Sequence, residues 1–154
     1  MSAAMGLLTL LLFCFASGII WLFNAEAACI LAAGSGRWSP VTVGVVCALG
    51  QTLAYTFLYF GGTWLRDHWG WWRARLERAE TRWGRVLQRS FLALTAPAAL
   101  IGIPPMTAMA ALAGSFKVRF LWMIAIALIG RSVRFQVLAH AGVELAVWWS
   151  RLWS

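Results

Sequence analysis

Residues 90–116 read SFLALTAPAALIGIPPMTAMAALAGSF. The stretch is uncharged and, by composition, long enough to cross a bilayer, for which about 20 apolar residues suffice. It is not expected to cross as one helix. Gly102-Ile103-Pro104-Pro105 lies near its middle. A proline pair removes two backbone donors and drives the preceding residue away from helix. The pieces on either side, 90–103 and 105–116, hold fourteen and twelve residues. At ~1.5 Å per residue neither reaches across a ~30 Å hydrocarbon core. The flanking charge agrees, because arginines crowd the segment before residue 90 while Lys117 and Arg119 follow residue 116. Both ends then belong on one side of the membrane. The expectation is a re-entrant helical hairpin with its tip at Gly102, Pro104 and Pro105. Non-helical backbone at membrane depth persists only when packed in protein or lining water, so the tip marks a site.

Composition supports a membrane setting. The chain has 154 residues, 62% hydrophobic and 12% charged, with 11 Trp and a mean hydropathy of +0.75. A soluble domain cannot hide that much apolar surface. Residues 1–25 are uncharged, and Glu26 is the only charge before Arg37; residues 38–65 are uncharged as well. No basic segment precedes the first apolar run and no persuasive cleavage site precedes Asn24, so a secretory signal is not expected. Cys14, Cys29 and Cys47 lie in apolar runs without metal-ligand spacing and read as buried small hydrophobes. His68 and His140 stand apart from other ligand types. Neither a metal site nor a cofactor is expected.

Glycines 34, 50 and 62 recur eighty positions later as glycines 114, 130 and 142. Ala33-Gly34-Ser35 matches Ala113-Gly114-Ser115, Arg37 matches Lys117, Leu58 matches Leu138, and Tyr55 stands opposite Phe135. A fixed offset in so apolar a chain suggests a duplicated membrane unit, which usually accompanies transport or permeation. The expected organisation is a single membrane domain. Repeat 1 occupies 5–65, a basic amphipathic linker 66–89, repeat 2 90–143, and an interfacial Trp-bearing tail 144–154. By analogy with 90–116, residues 5–36, interrupted at Asn24-Ala25-Glu26, form the matching hairpin, entering from the opposite face. Residues 38–65 and 118–143 then cross the membrane. The fold class is thus an all-α integral membrane protein, an inverted repeat of a re-entrant helical hairpin plus a transmembrane helix, with an interfacial amphipathic helix between the repeats. Residues 5–23 could instead form an ordinary span, which would reverse the side of the N-terminus.

The net charge of +8 is concentrated in 66–89, which holds seven arginines against Asp67, Glu77 and Glu80. Trp72, Leu76, Ala79, Trp83 and Val86 recur there at helical spacing. That pattern describes a helix in the headgroup zone, its Trp stripe inward and Arg73, Arg78, Arg82 and Arg85 toward anionic lipid. The positive-inside rule puts this segment in the cytoplasm. A helix tethered between membrane segments is a poor nucleic-acid reader.

Polar residues inside apolar runs are the remaining candidates. A carboxylate such as Glu26 costs roughly 2.5–3.5 kcal/mol at the bilayer centre and persists when paired, protonated or wetted. It could equally cap a short helix after Asn24. Arg131 and Arg134, at i, i+3, project from one face of the last long helix. They either snorkel to headgroups or form an anion site able to hold a phosphate by forked hydrogen bonds. Gln51 stands opposite Arg131 in the repeat, Glu26 opposite Met106, and Gln51 with Tyr55 could line the same path. No nucleophile–base pair or phosphate loop is visible, so no enzyme is expected.

The segments Gly102-Ile103-Pro104-Pro105, Leu112-Ala113-Gly114-Ser115, Phe116-Lys117-Val118-Arg119-Phe120 and Gly130-Arg131-Ser132-Val133-Arg134-Phe135 resemble the DedA/VTT (SNARE-associated Golgi-type) membrane family, in particular its short YqaA-like branch. The embedded Glu26, the Gly50-Gln51 step and the Trp-rich tail extend the resemblance over most of the chain. Leu22-Phe23-Asn24 replaces the usual Leu-Pro-Gly, Ile103 replaces the acid that usually follows the hairpin glycine, and the Arg-containing hairpin motif of longer members is missing. The resemblance implies two opposed re-entrant hairpins and movement of phospholipid or a lipid carrier such as undecaprenyl phosphate across a bacterial inner membrane. Three ionisable residues in apolar runs of an inverted repeat suggest that Arg131 and Arg134 engage a headgroup phosphate while Glu26 supplies a protonatable counter-charge, with membrane lipids as the partners. A chain this short leaves room for a homodimer. A membrane scaffold acting through 66–89, or a small ion or solute permease, are the other functions considered.

Overall fold

The computed structural model describes residues 3–20 and 23–152, and the side chains of residues 80, 83–85, 87 and 88 lie outside this description. Trp83 and Arg85 are among them, so their expected lipid contacts lie outside the described residues. The described chain forms six helices: α1 Ala3–Ile19, α2 Ala25–Gly34, α3 Pro40–His68, α4 Gly70–Leu100, α5 Met106–Ser115 and α6 Phe120–Leu152. α3 (29 residues) and α6 (33 residues) are long and apolar enough to cross a membrane. At ~1.5 Å per residue α2 and α5 cover about 15 Å, half of a hydrocarbon core.

The proline pair ends a helix as expected. α4 stops at Leu100, and the amides of Ile101 and Gly102 still donate to the carbonyls of Pro97 and Ala98. Gly102 then turns the chain at φ +90°, a conformation open to glycine because it lacks a Cβ. Pro97 is tolerated within α4, one turn from its end. In the first half α1 ends at Ile19 and α2 begins at Ala25, and Asn24 caps α2 by accepting from the amides of Glu26 and Ala27. Such a cap contributes about 1 kcal/mol. Ala25 and Glu26, expected in the interruption, form the first turn of α2.

Helix ends do not coincide with three of the composition boundaries. The basic linker is not a separate helix over 66–89. Residues 66–68 end α3, and α4 runs unbroken from Gly70 through Ser90 to Leu100. A change from charged to apolar composition does not interrupt hydrogen bonding; the break lies at Trp69, whose backbone is extended. The tail likewise continues α6 to Leu152. The apolar stripe of α4 packs on the protein only in part. Leu76 is buried, Trp72 and Ala79 are half-buried, and Val86 is exposed.

The chain divides into two compact units that cut across the sequence repeats. Unit 1 combines residues up to Leu53 with those from Arg131 onward. Its core joins Cys14 of α1, Cys29 and Ala33 of α2, Val43, Cys47 and Ala48 of α3, and Phe135 and Ala139 of α6. Unit 2 is 54–130. Its core joins Tyr55 and Tyr59 of α3, Ala98 of α4, Met106, Met109, Ala110 and Ala113 of α5, and Met123 and Ala127 of α6. The glycines of the eighty-residue offset explain this exchange. In unit 1 a Cβ at Gly34 would sit 3.0 Å from the carbonyl oxygen of Gly142. In unit 2 a Cβ at Gly62 would overlap the carbonyl of Ala111, and one at Gly114 the carbonyl of Tyr59. The pair 34/142 becomes 114/62 when each member moves by eighty positions. In each unit, therefore, the short second arm of one repeat's hairpin docks at bare backbone on the later half of the other repeat's long helix. Small residues permit that close approach.

Candidate functional site

Unit 1 holds all four residues proposed to contact a lipid phosphate. Glu26 projects from the first turn of α2, and its carboxylate accepts a hydrogen bond from Nη2 of Arg134 on α6. The side chains are 39% and 20% exposed, so the pair is only partly withdrawn from its surroundings. Asn24 brings it about by starting α2 one residue before Glu26. Capping and pairing thus coexist, the first through Asn24 and the second through Glu26, whose charge also suits the positive end of the helix dipole. Arg131 lies one turn earlier on α6 and is buried, 6% exposed. That is not the geometry of a side chain snorkelling outward. Gln51 is also buried and donates from Nε2 to Ser17 Oγ at 3.2 Å.

Glu26 and Gln51 come from the first half of the sequence and Arg131 and Arg134 from the second, and the Glu26–Arg134 pair joins the two halves. Two guanidiniums against one carboxylate leave this group of residues a net positive charge. Such a group can hold an anion by charge-assisted, forked hydrogen bonds. Among the described residues, no group of three His, Cys, Asp or Glu side chains is arranged to hold a metal ion.

Several neighbours escaped sequence reasoning. Ser17 orients Gln51, and its own hydroxyl donates to the carbonyl of Cys14 at 2.7 Å. Gln136 packs its amide against Gly44 and donates to the carbonyl of Val41 at 3.1 Å. Cys29 reaches the Phe135 carbonyl at 3.6 Å, one residue beyond Arg134. Gly44 was the available signal, since a glycine inside a long apolar helix marks a close neighbour.

The expected hairpin-tip residues Asn24, Gly102, Pro104 and Pro105 all lie at helix breaks. In unit 2, Arg66 stands apart from the other described arginines of 66–89. It is not a cation of the amphipathic surface but is buried at the end of α3, its Nη1 donating to the Ser115 carbonyl at 2.9 Å. Ser115 in turn donates to the Gly62 carbonyl, and Tyr59 to that of Val118. Spacing i, i+4 from Gly62 already placed Arg66 on the face that meets α5. On α4, Arg73, Arg78 and Arg82 are exposed as expected, and Arg75 stacks over Trp71. The Arg73 hydrogen bond holds the Glu77 carboxyl below the ordinary carboxylate range.

No family model, curated protein or solved structure matches the chain.

Proposed function

We propose that this protein is a DedA/VTT-like membrane protein that translocates or scrambles a phosphate-bearing lipid, phospholipid or undecaprenyl phosphate, in a bacterial inner membrane. The observation that carries the proposal is the Glu26–Arg134 pair, formed by side chains 108 positions apart, with Arg131 buried one turn away. Ionisable groups inside apolar helices are costly and mark substrate paths in membrane proteins. The pair fits a lipid headgroup because a phosphate competes with a carboxylate for the same guanidinium fork. The exposed apolar residues of the long helices, Phe57 and Phe60 on α3 and Leu121, Ile129 and Val137 on α6, favour a lipid surrounding. Two hairpins with short second arms favour re-entrant, inverted repeats with the basic start of α4 on the cytoplasmic side.

Reconstitution tests the proposal. Liposomes carrying the wild-type chain are expected to exchange a fluorescent phospholipid between leaflets, and the Arg131→Ala/Arg134→Ala variant to lose that exchange. Unchanged exchange in the folded double variant overturns the arginine role.

A second reading is favoured by the exposed Arg73, Arg78 and Arg82 and the Arg75–Trp71 stack. It is a membrane scaffold that gathers anionic lipid or partners on α4. Its phenotype tracks charge reversal on α4 and ignores Glu26.

A further inference from the structure

Unit 2 carries a groove of about 310 Å³ that takes no part in the Glu26–Arg134 cluster. Leu58, Gly61, Gly62 and Leu65 of α3, Trp72 of α4 and Leu112 of α5 line it. The two glycines differ. Gly62 is needed for contact with α5, whereas a Cβ at Gly61 would meet nothing within 4 Å. The Gly61 position is therefore open space in a helix surface otherwise built of large apolar residues.

The lining is mostly apolar, and the chain turns basic just after two of its residues, Trp72 and Ser115. Arg73 and Arg75 follow Trp72 on α4, and Lys117 and Arg119 follow Ser115, all exposed. Against these four cations stand Glu77, which pairs with Arg73, and Asp67, which lies 3.8 Å from Lys117. The Trp72 indole nitrogen is buried and makes no hydrogen bond among the described residues. The volume lies at the lower end of the ~300–1,000 Å³ range of small-molecule sites. That is enough for a flexible chain and too little for a partner helix, about 10 Å across.

We propose that this groove seats one acyl chain of an anionic glycerophospholipid, with the headgroup phosphate at Arg73 and Arg75. The chain lies along Gly61 between Leu58, Leu65 and Leu112. Charge complementarity selects the anionic headgroup, since basic residues near a membrane surface attract anionic lipid. The site rests on the membrane setting proposed above but not on translocation. It holds a resident lipid in unit 2, and the transported lipid is assigned to unit 1.

The test uses the full-length chain in detergent, titrated with phosphatidylglycerol or phosphatidylcholine, and reads bound lipid by native mass spectrometry alongside the melting temperature. Phosphatidylglycerol is expected to bind more tightly than phosphatidylcholine. Gly61→Leu fills the groove, is expected to melt no lower than wild type without lipid, and weakens phosphatidylglycerol by about tenfold, the effect of displacing about two methylenes. Gly61→Ala gives a smaller loss in the same direction and serves if the leucine variant does not fold. Arg73→Gln/Arg75→Gln reduces the preference for phosphatidylglycerol over phosphatidylcholine. Wild-type phosphatidylglycerol binding by folded Gly61 variants, or equal binding of the two lipids by the wild-type chain, overturns the proposal. So does concentration-dependent self-association that Gly61→Leu abolishes, which would make the occupant a second copy. Arg131→Ala/Arg134→Ala keeps phosphatidylglycerol binding even if it leaves translocation unchanged, so the two proposals fail separately.

Discussion

Glu26 and Arg134 form an ion pair that fastens the first turn of α2 to the middle of α6 in unit 1. Asn24 sets its geometry by capping α2 immediately before the acid. Because both side chains are partly exposed, the pair is worth less than a fully buried one, about 1 kcal/mol after screening. A double-mutant cycle of Glu26→Gln and Arg134→Gln, read by denaturant or thermal unfolding in detergent, is expected to return a coupling of about that size. A coupling near zero would show that the contact contributes nothing to stability.

The glycines of the repeat are expected to be intolerant, and a neighbouring glycine tolerant. Gly62→Ala and Gly114→Ala push a methyl into the carbonyls of Ala111 and Tyr59. Each is expected to destabilise by about 1–3 kcal/mol, the usual cost of overpacking. Gly34→Ala is milder, because its nearest neighbour is 3.0 Å away. Gly61→Ala is neutral or stabilising by up to ~1 kcal/mol, since alanine is the better helix former. Melting temperatures of the four variants in one detergent check the order.

Lys117 occupies a position suited to glycine. It has φ +48° at the end of α5, where its amide donates to the Gly114 carbonyl and that of Val118 to the Ala113 carbonyl. This is the paired bonding of a Schellman cap, whose left-handed residue is usually Gly. Lys117→Gly removes a left-handed cost of about 1–2 kcal/mol. It loses a weak surface contact with Asp67, 3.8 Å away. The variant is expected to melt higher than wild type; a lower melting temperature would mean that the Asp67 contact outweighs the strain.

The three cysteines report the packing of unit 1. Cys14, Cys29 and Cys47 are fully buried and free, although they lie on three different helices. The folded protein in detergent is expected to resist maleimide labelling and to label at all three positions once denatured. Rapid labelling of the folded chain would show that this core is open.

The Arg73–Glu77 pair predicts a pH dependence on α4. The Glu77 carboxyl lies below its ordinary range, first because Arg73 hydrogen-bonds it and then through the charge of Arg73. A depressed acid contributes stability that is present above its unfolded pKa and is lost as pH falls through the folded value. An NMR titration of Glu77 should show the midpoint rise toward the ordinary range in Arg73→Gln. An unmoved midpoint removes Arg73 as the cause.

Much of the local architecture was legible in the chain. Gly102-Ile103-Pro104-Pro105 marks the end of α4 because proline lacks a donor, and Asn24 marks the start of α2 because its side chain reaches the first free amides. The presence of α3 and α6 follows from apolar runs without an internal proline, although both helices outrun the apolar residues. No helix ends at 66, 90 or 144, because charge and hydropathy change there while the helical hydrogen bonds continue.

The polar and glycine positions were legible individually and not as partners. Glu26, Gln51, Arg131 and Arg134 stand out because ionisable and amide groups are costly in apolar helices. The eighty-residue offset likewise singles out the glycines. Only the tertiary structure decided that Glu26 meets Arg134 rather than Arg131, that Arg66 is buried against Ser115, and that Gly34 approaches Gly142 while Gly62 and Gly114 serve the α3–α5 contact. Sequence determines helix length, caps and breaks because these depend on neighbours a few residues apart. Partners 50 or 100 positions apart are chosen by which helix faces can approach closely, and that choice exists only once the helices pack.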